Sequence, residues 1–262
     1  MSNADAIIAE LHTGHDRLAG LVSGLSDEEL AAPTGASEWD VSEVISHLGS
    51  GAEINRAALD AALEGKPNPG MEFARSVWSR WDEAGRRERV DGFLREDTRL
   101  LAQYDSLAGR DDLRIDMGFL PEPVDLATAA VFRLTEFALH SWDVRVGFDP
   151  AATLAPTEAA QLSQVTAQMA GMLGQPEALG GARAVIRVTT TAPEEVFALR
   201  LGESIAIDTD DVPERADGTL SLPAEAWIRL VTGRLGPRHT PAAVTAAGAA
   251  DLDLLRRVFP GF

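Results

Sequence analysis

Apolar residues recur at helical spacing through the first 150 residues of the chain. A period of about 3.6 residues is typical of helices that bury one face. Asp40 and Asp125 are suitable N-caps, and Glu43 completes a capping box after Asp40. The third helix has a candidate break near Gly85 or Gly92. The pattern therefore predicts an antiparallel bundle with helices at about 3–24, 41–63, 71–107 and 126–146.

The pattern changes after Pro150, where a further helix is predicted over 155–173. β-Branched, partly alternating segments then predict one antiparallel sheet with strands at 184–191, 196–201 and 204–207. Two short helices follow at about 223–233 and 251–258. The expected fold class is a four-helix bundle, residues 1–150, followed by a smaller α+β domain, residues 151–262.

Composition restricts the partners of the protein. The 262 residues carry a formal net charge of −18, which argues against nucleic acid and against an anionic membrane surface. No apolar run approaches the roughly 20 residues that cross a bilayer, and the N-terminal sequence lacks the features of a secretion signal. We expect a cytoplasmic protein, either a monomer or a homodimer.

The chain contains no cysteine. Disulfides, thiolate metal ligands and a cysteine nucleophile are therefore excluded. Any sulfur chemistry requires a thiol that is bound as a cosubstrate.

Two segments contain candidate metal ligands. Glu136 and His140 are four residues apart on a predicted helix, so both side chains lie on one face and can share a cation. Asp143 follows one turn later, where its carboxylate can orient the imidazole. His47 lies beside the apolar stripe of another bundle helix.

Two imidazoles and one carboxylate suit zinc with a position left open for water or substrate. Nickel, manganese and iron are also compatible with these ligand types. The alternative is that the Glu136–His140 pair forms a surface hydrogen bond and that His47 is a hydrogen-bonded core residue.

A family resemblance favours the metal site. The segments WDVSEVISHL, ending at Leu48, and EFALHSWDVRVG, beginning at Glu136, resemble the mycothiol-dependent maleylpyruvate isomerase family. The resemblance implies a DinB-like helical bundle in which His47, Glu136 and His140 hold zinc. The C-terminal segment from Leu220 onward resembles the smaller α+β domain of that family.

The resemblance also implies a metal-dependent isomerase or S-transferase that activates mycothiol against a small electrophilic substrate. Two alternatives remain. A hydrolase would use metal-bound water as its nucleophile, and a non-catalytic resistance protein would sequester a small molecule.

Arginine forks bind carboxylates bidentately, which makes Arg80 and Arg234 candidates for holding an acidic substrate. The alternative places Arg80 in a salt-bridged helix and Arg234 at the carbonyls of a helix end. His12 and His15 are expected to form surface or hydrogen-bonding contacts. The tryptophans are expected to pack in the core or at the domain interface rather than to stack on substrate: Trp39, Trp78, Trp81 and Trp142.

Overall fold

The computed structural model describes residues 3–110 and 112–261. The chain forms two compact units, the first ending at Asp149 and the second beginning at Pro150. The first unit is helical and the second combines helices with a sheet. The predicted fold class is therefore confirmed.

Two helices of the first unit begin at aspartate caps. The Asp40 carboxylate caps the helix that holds His47 by accepting from the backbone N–H of Glu43, and the Glu43 carboxylate accepts from the backbone N–H of Asp40. The Asp125 carboxylate caps the helix that holds Glu136 by accepting from the backbone N–H of Thr128. The helices are α1 (Asn3–Val22), α2 (Asp27–Leu30), α3 (Val41–Leu63), α4 (Gly70–Glu83), α5 (Arg86–Ser106) and α6 (Leu126–Phe148).

Four of these helices form the bundle. α3 packs along α5 and α1 packs along α6, while α1 also contacts α5 and α3 contacts α6. Apolar stripes meet in the interior, where Leu18, Leu48, Phe93 and Phe137 are fully buried. This packing brings α3 and α6, the two helices that contain the candidate ligands, against each other.

The predicted third helix is two helices, α4 and α5. The break lies at Ala84 and Gly85, and Gly85 has the extended conformation of an N-cap. Gly92, the other candidate for the break, lies inside α5. A Cβ at Gly92 would lie 2.9 Å from the Trp81 ring, so the glycine provides room for that indole.

The helices and strands of the second unit are α7 (Pro156–Leu173), β1 (Ala184–Thr191), β2 (Val196–Leu201), β3 (Ile205–Asp208), β4 (Gly218–Pro223), α8 (Ala224–Val231), β5 (Thr245–Gly248) and α9 (Leu252–Val258). Within the described residues, the strands form a five-stranded sheet in the order β3-β2-β1-β4-β5. The sheet covers a core that includes Ile186, Leu199, Leu220, Trp227 and Phe259.

The sheet is mixed, which corrects the prediction of a purely antiparallel one. β1, β2 and β3 pair antiparallel, but β4 pairs parallel with β1. The intervening chain, with β2 and β3, provides the long connection that a parallel pair requires. The sequence prediction also missed β4 and β5. β4 alternates over only six residues, and all four residues of β5 are exposed.

In the described part of the chain, the helices are all too short or too polar to span a bilayer.

Candidate metal centre

The three predicted ligands converge between α3 and α6. His47, Glu136 and His140 each offer a ligand atom, and these atoms all lie within 4.8 Å of one another. The Glu136 Oε2 atom is 3.2 Å from His47 Nε2 and 3.7 Å from His140 Nε2. Glu136 and His140 share a face of α6 because one turn separates them. Packing of α3 against α6 brings in His47.

The Asp143 carboxylate orients His140. Its Oδ2 atom is 3.0 Å from His140 Nδ1, and both side chains are buried. A carboxylate at Nδ1 favours the proton on that nitrogen, which leaves Nε2 as the acceptor that faces Glu136.

A glycine-containing loop lies against this pair. The backbone N–H of Gly35 donates to the Asp143 carbonyl at 2.8 Å, and a Cβ at Gly35 would lie 2.9 Å from Asp143 Oδ1. Any larger residue at Gly35 would therefore displace the loop or the carboxylate that holds His140.

A buried arginine ties the two ligand-bearing helices together. On α6, Arg133 Nη2 donates to the backbone carbonyl of Leu48 at 3.0 Å and to Asp97 Oδ1 at 2.6 Å. Leu48 directly follows His47, so this contact fixes the position of α3 relative to α6 at the turn that carries His47. Arg133 and Asp97 are both almost fully buried, where a charged pair requires good mutual geometry.

The surroundings keep the Glu136 carboxylate ionised. Burial by itself raises its pKa, but the hydrogen bond with His47 and the nearby charges of His140 and Arg133 outweigh that effect. The pKa of Glu136 consequently lies below its ordinary value. The ionised carboxylate and the two imidazoles are thus three neighbouring groups that can each bind a cation.

This donor set fits a small divalent cation. Bonds of about 2.1 Å at tetrahedral angles place ligand atoms roughly 3.4 Å apart. The histidine-to-glutamate distances of 3.2 and 3.7 Å lie on either side of that value. Two imidazoles and one carboxylate form the three-ligand set of catalytic zinc sites.

Trp39 lies against both histidines. Its ring centroid is 5.1 Å from that of His47 and 5.8 Å from that of His140. Trp39 and His47 also line a cavity of about 340 Å³. An aromatic side chain at this position limits the rotation of both imidazoles and separates them from solvent on one side.

A protein-family model matches residues 11–145, a span that contains α3, most of α6 and the three candidate ligands. The model describes the N-terminal domain of mycothiol maleylpyruvate isomerase. The chain belongs to this family. It is a family of enzymes, and the resemblance inferred from the sequence is confirmed.

Solved structures of the family have the same fold. A crystal structure of the mycothiol-dependent maleylpyruvate isomerase has 14% sequence identity and a TM-score of 0.65, and the match covers 95% of each chain. A histidine-to-alanine mutant of that isomerase has 13% identity and the same TM-score and coverage. Curated protein sequences contain no significant match to this chain.

The predicted arginines have other partners. Arg80 pairs with Glu53 at 2.5 Å and lines a different cavity, together with Arg56 and Arg95. Arg234, in the second unit, donates to the Thr232 carbonyl at the end of α8. These contacts are those of the alternative interpretation, and a substrate-binding role for Arg80 or Arg234 stays a prediction.

The first-helix histidines form hydrogen-bonded pairs, as expected. His12 Nε2 is 3.0 Å from Asp105, and His15 Nδ1 is 2.8 Å from Asp97.

The packing prediction for the tryptophans is correct for Trp81 and Trp142, which are buried. Trp39 and Trp78 lie outside the buried core, with 37% and 40% of their surface exposed, and Trp39 packs on the imidazoles of His47 and His140. Sequence analysis thus missed Trp39 as a wall of the site. The available signal was its place one residue before the Asp40 cap of the ligand-bearing helix, a position that keeps it close to the first turns of α3.

Proposed function

We propose that the protein is a metal-dependent enzyme that activates mycothiol for isomerisation of, or transfer to, a small electrophilic substrate. A divalent cation, with zinc as the first candidate, is held by His47, Glu136 and His140. The observation that carries this proposal is the convergence of three ligand atoms within 4.8 Å on two facing helices. Membership of the mycothiol maleylpyruvate isomerase family supports the choice of thiol.

The chain has no cysteine, so the reacting sulfur comes from the cosubstrate. A divalent cation in this site would supply a Lewis acid that lowers the pKa of a bound thiol, so that the thiolate is present at neutral pH. The protein contributes the ligands, their orientation and a cavity beside them.

Each surrounding residue has a defined task. Asp143 accepts a hydrogen bond from the Nδ1–H of His140 and directs the unprotonated Nε2 toward the site. Arg133, on α6, fixes the position of α3 by donating to the Leu48 carbonyl. Trp39 packs on both imidazoles and leaves the cavity side of His47 open.

Elemental analysis of the purified protein tests the metal site. We expect one divalent ion per chain in the wild-type protein and loss of that ion in His47→Ala. His12→Ala is the matched control, because His12 pairs with an exposed aspartate on another part of the bundle. Equal metal content in wild type and His47→Ala would contradict the proposed site.

Omission of the thiol tests the chemistry. We expect conversion of an electrophilic substrate by the metal-loaded protein only when mycothiol is added. Turnover at the same rate without thiol would instead indicate a hydrolase that uses water. Binding of substrate without any turnover would indicate a sequestering protein.

A further inference from the structure

The cavity beside His47 lies between α3 and α4 in the helical unit and has a volume of about 340 Å³. Three indoles line it, those of Trp39, Trp78 and Trp81, together with the charged residues Glu43, Asp82 and Arg89. A cavity of this size accepts a small organic molecule. Its lining indicates which kind of molecule that is.

Trp81 forms a rigid wall. Its Nε1–H donates to Glu53 at 3.1 Å, and the indole fills the space that Gly49 and Gly92 leave free on α3 and α5. Trp39 and Trp78 also line the cavity but differ from Trp81, because 37% and 40% of their surface remains exposed. Large aromatic surfaces that stay accessible in a concave site are typical of contacts with flat apolar ligands.

The charged groups of the cavity are poorly suited to bind a carboxylate. Arg89 is the guanidinium that lines it, within the described residues. All three of its nitrogens face protein acceptors: Nε the Trp81 carbonyl, Nη2 the Asp82 carbonyl and Nη1 the Ser42 hydroxyl. Three of the five N–H groups of this guanidinium are therefore already engaged within the protein, which leaves it few donors for a carboxylate.

The acidic side chains of the cavity also disfavour an anionic ligand, because like charges repel. The Glu43 carboxylate accepts from the Asp40 backbone N–H at 2.7 Å and is held in place by the capping box. Asp82 adds a second carboxylate to the lining. Two carboxylates and one engaged guanidinium make this wall unfavourable for a dianionic ligand.

We infer that this cavity takes a flat, uncharged conjugated group, and that the electrophile of the enzyme is a neutral aromatic or conjugated carbonyl compound rather than a dicarboxylate. The inference rests on the proposed function for the identity of the site. In the expected reaction the thiol S–H adds across the conjugated double bond. The sulfur bonds to the β-carbon, the proton goes to the α-carbon, and nothing is oxidised.

Ligand binding to the metal-loaded protein tests the inference without reliance on turnover. The probes are 4-phenyl-3-buten-2-one, a neutral planar enone, and maleate, a dianionic dicarboxylate. We expect saturable quenching of tryptophan fluorescence by the enone, with a Kd at least about tenfold below that of maleate. Trp78→Ala should weaken enone binding by about two- to tenfold, the contribution of one aromatic contact.

Leu63→Ala is the matched control, because Leu63 is a comparably exposed apolar side chain of the same unit, at the end of α3. It should leave both Kd values unchanged. Tighter binding of maleate than of the enone, or equal enone affinity in wild type and Trp78→Ala, would overturn the inference.

Metal content, measured on the same samples, separates the two proposals. Enone binding that depends on Trp78 in a protein without any metal would support the inference about the cavity while contradicting the metal site. One ion per chain together with selective maleate binding would do the reverse.

Discussion

Two histidine–aspartate pairs of the helical unit have a buried aspartate, and they differ in what the other ring nitrogen of the histidine faces. His15 Nδ1 is 2.8 Å from Asp97, and His140 Nδ1 is 3.0 Å from Asp143. Both aspartates are buried. Beyond its aspartate, the Nε2 atom of His15 lies 3.5 Å from the hydroxyl of Thr98. The Nε2 atom of His140 instead faces the carboxylate of Glu136.

The difference distinguishes a structural network from a binding site. Around Asp97, donors meet acceptors: Arg133 donates to one carboxylate oxygen and His15 lies at the other. Around Glu136, one carboxylate oxygen faces the Nε2 atoms of two imidazoles, and each of these three atoms can bind a cation when the nitrogens are unprotonated. The first arrangement is complete within the protein. The second becomes favourable when a cation is shared.

The largest expected effect comes from the Asp97 network. Asp97→Asn removes the charge opposite the buried Arg133 guanidinium, and an unpaired buried charge is strongly destabilising. We expect the free energy of unfolding to fall by about 3 kcal/mol, measured by urea denaturation at pH 7. Asp105→Asn, which alters the exposed pair with His12, should cost less than about 1 kcal/mol. Equal losses in the two variants would mean that the buried network contributes no more than a surface pair.

The contribution of Asp97 to the free energy of unfolding should depend on pH. Burial by itself raises the pKa of Asp97, but the Arg133 charge and the His15 hydrogen bond outweigh it and hold the pKa below its ordinary value. The stabilisation is thus fully present above the unfolded pKa of about 3.9 and is lost as pH falls through the folded pKa. The stability gap between wild type and Asp97→Asn should be constant between pH 7 and 5 and should narrow below about pH 4.

A smaller effect is expected at the second pair. Asp143→Asn replaces the charged acceptor at His140 Nδ1 with a neutral amide, so the imidazole is held less firmly in the tautomer that binds metal. We expect metal affinity to fall by about tenfold to a hundredfold, measured by competition with a chelator. The ion count at saturating metal should remain one per chain.

Asp105→Asn serves again as the control, since its carboxylate contacts the exposed His12. Unchanged metal affinity in Asp143→Asn would show that metal binding does not depend on the orientation of His140 by Asp143. The comparison of the two histidine–aspartate pairs would then no longer distinguish a site from a structural network.

The smallest effect is expected at Arg80. Its guanidinium pairs with Glu53 at a largely exposed position, where an ion pair contributes about 0–1 kcal/mol. Arg80→Ala should therefore leave metal content and the KM of the thiol-dependent reaction unchanged, and unfolding should be easier by less than about 1 kcal/mol. A large rise in KM with unchanged stability would restore the prediction that Arg80 binds substrate.

Local signals in the sequence determined much of the fold. The capping box of Asp40 and Glu43 sets the start of α3, and the predicted range 41–63 agrees with the structure. The spacing of Glu136, His140 and Asp143 is likewise local, because helix geometry alone places residues three and four positions apart on one face. The β-branched segments at 184–191 and 196–201 were found for the same reason.

Only the tertiary structure decided how distant segments meet. The approach of His47 to α6, the contact of Trp39 with two imidazoles and the Arg133 bridge to Leu48 all depend on helix packing. Neither the parallel pairing of β4 with β1 nor the position of the exposed β5 follows from local periodicity. The periodicity of helices and strands extends over a few residues and is therefore visible in the sequence. Side-chain packing joins residues that are far apart in the chain and is determined by the whole core.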